Sequence, residues 1–214
     1  MSVLVVKIGG ASLEAVSLPP LDDTVLVHGA GPQITAEMQR RGLEPQFVRG
    51  RRVTTPAVLD VVRDSMREVN AAICAALGPR AVGLFGDEIG LKARPVPELG
   101  LVGEPTPCAP RAIVDALAAG LVPVVAPLAV GPLNVNADEA ATALAVGLGA
   151  ERIVFVTDVA GVLVDEEVLA RIDVAEAERL LPSFEGGIVP KLRAAIAAAR
   201  SGMEVEIGET AVVA

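Results

Sequence analysis

Val3-Leu4-Val5-Val6-Lys7-Ile8-Gly9-Gly10 and Thr24-Val25-Leu26-Val27-His28-Gly29-Ala30-Gly31-Pro32 are apolar runs that end in glycine turns. Neither run alternates polar with apolar residues. A strand covered on one face alternates; an unbroken β-branched run predicts a strand covered on both faces, as in a parallel sheet. Similar runs occur at 81–85, 122–126 and 153–157. Helical spacing fills the gaps, near 31–41, 56–77, 110–119, 137–147, 174–181 and 190–201. The longest carries Val58, Val62, Met66, Val69, Ile73 and Leu77 on one stripe, with Thr55 as N-cap and Pro56 in the first turn. Strands and helices in alternation predict a three-layer α/β/α sandwich around a mostly parallel sheet. A lobe boundary is expected near Gly149, dividing residues 1–149 from 150–214.

Composition narrows the function. The chain has 214 residues, 52% of them hydrophobic, which excludes a disordered protein. It has no Trp or Tyr and four Phe, so the core is aliphatic. A net charge of −9 argues against wholesale binding of nucleic acid or anionic membrane. Of the 18 basic residues only three are lysines, Lys7, Lys92 and Lys191, which draws attention to those positions. Cys74 and Cys108 lack metal-ligand or disulfide-framework spacing and fit a reducing cytoplasmic setting. The chain opens straight into apolar strand residues, so no signal peptide is expected. Residues 116–133 are 18 without a charge, but three prolines and two glycines break them into a helix end, a buried strand and a loop.

Ligands of open parallel sheets sit beyond the carboxyl ends of the strands, where both glycine turns fall. Glycine lets backbone N–H groups approach an anion, and the helix beginning at Gly31 adds partial positive charge. Neither turn is a P-loop or a dinucleotide fingerprint: GxxxxGK[ST] is absent, and Ile34 stands where the third glycine would be. His28, the only histidine, ends a buried strand and is expected to pack and hydrogen-bond rather than catalyse.

Six segments in order resemble the amino acid kinase family, and within it the branch acting on N-acetylglutamate. They are Val6–Gly10, Val27–Pro32, Gly50-Arg51-Arg52-Val53-Thr54, Asn134-Val135-Asn136-Ala137-Asp138-Glu139-Ala140-Ala141, Thr157–Val162 and Gly186-Gly187-Ile188-Val189-Pro190-Lys191. The resemblance implies transfer of the γ-phosphoryl group of ATP to the side-chain carboxylate of N-acetylglutamate, giving an acyl phosphate in arginine biosynthesis. That chemistry brings a carboxylate to a polyanion and needs concentrated positive charge, which a protein of net charge −9 must supply locally.

By the resemblance, Lys7 and Lys191 are the transition-state lysines and Asp138 holds both. Arg52 grips a substrate carboxylate and Asn134 hydrogen-bonds the acceptor, with Ala30 and Gly31 beside it. Gly9, Gly10 and Gly29 cradle phosphate, and Asp158, Val159, Ala160 and Gly161 belong to the nucleotide segment. Residues 1–149 become the acceptor lobe and 150–214 a shortened nucleotide lobe. Mg²⁺ rides mainly on ATP oxygens, with no protein metal ligands expected. Leu99-Gly100-Leu101-Val102-Gly103 resembles the hairpin lid over the acetyl group. A homodimer is expected, with the 56–77 helix as candidate interface.

The chain departs from the family in places. Alanine replaces glycine at Ala30, only 14 residues separate Gly10 from Val25, and Val205-Glu206-Ile207 runs almost directly into Ala211-Val212-Val213. The 10–25 connection is expected to be a loop with at most a short turn. Because the chain starts at its first strand, no arginine feedback is expected. Two other functions are open: a related kinase with another acceptor, such as carrier-protein-linked aminoadipate or glutamate, and a non-catalytic nucleotide-binding regulator. Arg49, Arg51 and Arg52 are the only basic cluster for an acidic carrier.

Overall fold

A computed structural model describes residues 2–9, 21–157 and 160–214. Along the chain run β1 (Leu4–Ile8), β2 (Thr24–His28), α1 (Gly31–Arg40), β3 (Phe47–Val48), β4 (Arg51–Arg52) and α2 (Pro56–Leu77). Then come β5 (Ala81–Phe85), α3 (Gly86–Ile89), β6 (Ala93–Pro95), β7 (Val102–Pro105), α4 (Arg111–Ala118) and β8 (Val122–Ala126). Next are β9 (Leu128–Ala129), β10 (Leu133–Val135), α5 (Ala137–Leu148), β11 (Arg152–Phe155), β12 (Leu163–Val164) and β13 (Glu167–Val168). The chain closes with β14 (Arg171–Asp173), α6 (Val174–Leu180), α7 (Ile188–Arg200), β15 (Glu204–Ile207) and β16 (Thr210–Val213).

Eight strands form the main sheet in the order β14-β16-β15-β11-β1-β2-β8-β5. Every neighbouring pair is parallel except β15 with β16, a hairpin closed by Gly208 and Glu209. The near-contiguity of 205–207 and 211–213 is therefore a tight return within the sheet. A second sheet, β6-β7-β10-β9, is built from strands of two to four residues. Such short segments, broken by glycine and proline, carry no periodicity, and sequence reading passed over them.

The continuous apolar runs do what their pattern requires. All five residues of β2 and of β8 are buried. Alternation along the strands sorts the core into two layers. Val5, Val25, Val27 and Val125 pack with α4, α5 and α7 on one face. Val6, Ile8, Leu26 and Val124 pack with α2 on the other. Each such buried aliphatic side chain contributes about 1.5–3 kcal/mol, so the two layers supply most of the stabilisation. α2 begins where Thr55 accepts the N–H of Val58 and ends at Gly78, as its sequence predicts. The uncharged stretch is the end of α4, then β8, β9 and a turn, and among the described residues no helix is long and apolar enough to cross a membrane. Gly149 closes α5 in the left-handed conformation, and the main sheet runs on unbroken from β1 to β11 across the expected boundary. Most of the 10–25 connection, Gly10 to Pro20, lies outside the described residues.

Candidate active site

Three elements build a charged centre beyond the carboxyl end of β1. Lys7 shares its strand face with Val5 and points toward α5 and α7. The side-chain carbonyl of Asn136 accepts the N–H groups of Asp138 (2.9 Å) and Glu139 (3.1 Å), fixing where α5 starts. Asp138 thereby falls in the first helical turn, where negative charge is favoured. Lys191, in the first half of α7, arrives from the other side. Lys7 Nζ lies 2.9 Å from Asp138 Oδ1, and Lys191 Nζ lies 3.3 Å from the same oxygen.

Two ammonium groups thus share one carboxylate, with a net charge of +1, and all three residues are at most 7% exposed. Burial, and then the charge of Lys7, pull the Lys191 pKa down to about 8, against the pull of Asp138. Lys191 Nζ also stands 6.0 Å from the centre of the Phe155 ring. An unneutralised positive charge held in low dielectric is a strong attractor for an anion.

Beside this centre lies a cavity of about 260 Å³, walled by Gly29, Ala30 and Gly31 on one side and by Arg52 and Asn134 on another. Lys7 and Asp138 form its floor. The Gly29 N–H donates to the Ile8 carbonyl (3.0 Å), tying the second glycine turn to the end of β1. Arg52 is buried. Its guanidinium donates to Thr35 Oγ1 (2.9 Å) and the Gly31 carbonyl (3.3 Å), and it stacks over the Phe47 ring at 4.6 Å. No carboxylate pairs with it among the described residues, and burial lowers its pKa. A buried guanidinium with only neutral partners is a ready place for a carboxylate.

Its neighbour Arg51 is used differently. It donates to both carboxylate oxygens of Glu139 (2.8 and 2.9 Å), fastening the β3–β4 hairpin to α5. At the hairpin tip, a side chain added to Gly50 would come within 3.9 Å of the Pro190 ring, at the start of α7. A second cavity of about 370 Å³ lies on the other side of this hairpin, between Arg51, Glu139, Pro190 and Arg193.

A model of the amino acid kinase family matches residues 2–209. The chain belongs to the amino acid kinase family. It is 43% identical over 205 residues to the acetylglutamate kinase of Acidothermus cellulolyticus, covering 84% of this chain and 69% of that one. It is 41% identical over 224 residues to the acetylglutamate kinase of Rubrobacter xylanophilus, covering 97% and 88%. The solved structure of smu.665 from Streptococcus mutans superposes with a TM-score of 0.88 at 26% identity, over 99% of this chain and 98% of that one.

In this amino acid kinase the residues singled out in sequence mostly converge. Lys7, Asp138 and Lys191 touch, and Gly29, Ala30, Gly31, Arg52 and Asn134 surround one cavity. Gly9 directly follows β1, half-buried at the same sheet end. Gly10, Asp158 and Val159 lie outside the described residues. Ala160 and Gly161 line neither cavity. The Ala160 carbonyl accepts from the Glu209 N–H (2.7 Å), and a Cβ on Gly161 would strike Thr210 Oγ1, so this pair docks on the β15–β16 turn.

The lid assignment needs refining. Leu99–Gly103 does belong to a hairpin, the antiparallel β6–β7 pair, as its turn and returning strand, but of these residues only Val102 lines the cavity. The hairpin over the cavity is β3–β4, whose strands of two residues are too short to show a pattern. His28 is fully buried on the α2 face, with its Nε2 3.1 Å from Asn70 Nδ2, and burial lowers its pKa to about 4. That is the packing role its position suggested. Sequence reading missed Phe47 and Thr54, although Thr54 stood inside the Arg-Val-Thr motif.

Proposed function

We propose that the protein phosphorylates the side-chain carboxylate of N-acetyl-L-glutamate with ATP, giving an acyl phosphate and ADP in arginine biosynthesis. The observation that carries this reading is the pairing of an anion-seeking centre with a buried, carboxylate-free arginine across one small cavity. In it, Arg52 and Asn134 hold the acceptor's other carboxylate and acylamide. The reacting carboxylate oxygen then forms a bond to the γ-phosphorus while the bond to the β–γ bridging oxygen breaks, the electron pair leaving with ADP. Lys7 and Lys191 face the charge that develops on the moving phosphoryl group, and Asp138 keeps both ammonium groups charged and aimed. Lysine suits this as a compact point charge.

The backbone of Gly9, Gly10, Gly29, Ala30 and Gly31 cradles phosphate and acceptor, and Asp158 to Gly161 form the nucleotide side. Residues 1–149 serve as acceptor lobe and 150–214 as nucleotide lobe on a shared sheet. Magnesium fits as a passenger on ATP, because the one carboxylate at the centre among the described residues, Asp138, is already engaged by two ammonium groups. A cytoplasmic homodimer completes the reading. A carrier-linked acceptor is less favoured, because Arg51 is occupied by Glu139 and Arg52 is turned inward, leaving Arg49 alone on the surface.

ADP release and hydroxylamine trapping of the acyl phosphate, measured with N-acetyl-L-glutamate, L-glutamate and carrier-linked acceptors, test the reading. N-acetyl-L-glutamate is expected to be turned over, and Lys191→Ala to abolish turnover. Normal ATP binding without turnover of any acceptor would refute it.

A further inference from the structure

Thr54 is fully buried, and its N–H, its carbonyl and its hydroxyl are all hydrogen-bonded. Its N–H donates to the Leu99 carbonyl (2.9 Å), and its carbonyl accepts from the Leu101 N–H (2.7 Å). That embrace requires Gly100 between the two partners, with φ +80 and no room for a Cβ against the Thr54 carbonyl. The hydroxyl does something more specific. It donates to the Arg52 carbonyl (2.9 Å) and accepts from Asn134 Nδ2 (3.0 Å).

A threonine hydroxyl has one proton. Here it goes to a backbone carbonyl, which can only accept, so toward Asn134 the oxygen can only accept as well. The Asn134 amide must therefore turn its NH₂ group to Thr54. One N–H is spent there, and the amide keeps one N–H and its Oδ1 in a fixed orientation at the cavity wall. One donor and one acceptor suit an acylated amino acid, which brings a carboxylate and an amide N–H. The same hydroxyl holds the backbone of Arg52, the other residue placed on the acceptor.

We propose that Thr54 is a positioning residue for acceptor binding, setting the Asn134 amide and the Arg52 backbone with one shared hydroxyl. The inference rests on the function proposed above. Thr54→Val is isosteric and removes only the hydroxyl. It is expected to raise KM for N-acetyl-L-glutamate about five- to tenfold, leaving kcat and KM for ATP within about twofold of wild type. Thr54→Ser is expected to restore KM. A folded Thr54→Val protein with wild-type acceptor KM would overturn the inference, whereas a wild-type protein inactive on this acceptor would overturn the functional reading instead.

A second measurement needs no acceptor. In the NMR spectrum of the free protein, one Asn134 side-chain amide proton, assigned by its loss in Asn134→Asp, is expected to exchange slowly with water. In Thr54→Val that protection is expected to vanish. Its persistence would refute the positioning role whatever the substrate.

Discussion

Lys7, next to last in β1, and His28, last in β2, stand one register step apart on neighbouring strands, Lys7 opposite Val27 and His28 opposite Ile8. Both are buried and both could carry a positive charge. Strand alternation sends them to opposite faces of the sheet. Lys7 meets Asp138 and Lys191, whereas His28 meets Asn70 and the neutral face of α2. The Asp138 carboxylate opposes the pull of burial on Lys191, whereas burial acts on His28 against only the Gly29 carbonyl, and the His28 pKa falls to about 4. Neighbouring positions on one sheet end thus hold a cluster of ion-paired side chains on one face and a packed histidine on the other. The difference lies in what the covering helix presents.

The sharpest way to break the contrast is to remove the carboxylate. Asp138→Ala leaves two buried ammonium groups facing each other, and kcat/KM is expected to fall about 10³-fold in steady-state assays. Urea unfolding is expected to show a loss of about 3–5 kcal/mol, the usual cost of breaking a buried ion pair.

On the other face, acid should do what mutation does here. His28 binds a proton near pH 6.5 when unfolded but only near pH 4 when folded. Its contribution to stability is therefore intact above pH 6.5 and is lost as pH falls toward 4, by about 3 kcal/mol. Unfolding curves of wild type and His28→Leu should differ in this acid window, with rates at pH 7.5 nearly equal. An equal acid slope in both would show that His28 is not the titrating group.

The smallest effect concerns alkaline pH. The proposed reaction needs Lys191 charged, and burial and the Lys7 charge bring its pKa down to about 8. Wild-type kcat/KM is expected to decline above about pH 8, by up to about tenfold per pH unit. Lys191→Arg, although slower, should keep a flat profile to higher pH.

Much of this was legible in the residues. The unbroken runs of β1, β2 and β8 announced a sheet covered on both faces, and the scarcity of lysine pointed to Lys7 and Lys191. What stayed hidden joins residues far apart in the chain. Arg51 reads as a solvated basic residue until Glu139, 88 positions on, receives it. The β3–β4 hairpin beside the cavity has strands of two residues, too short to carry a period. Thr54 gains its meaning only when Asn134, 80 positions later, lies beside it.

The bidentate pairing of Arg51 with Glu139 has a thermodynamic corollary. The hairpin carrying Arg52 is tied through Arg51 and Glu139 to α5, whose Asp138 pairs with Lys191, so a ligand that shifts either end of this chain of contacts biases the other. Coupling of that kind is reciprocal: whatever factor a nucleotide analogue adds to acceptor affinity, the acceptor must return to the nucleotide. Titrating each ligand with and without the other should give equal factors, and Arg51→Ala, which unties the hairpin from α5, should change both together.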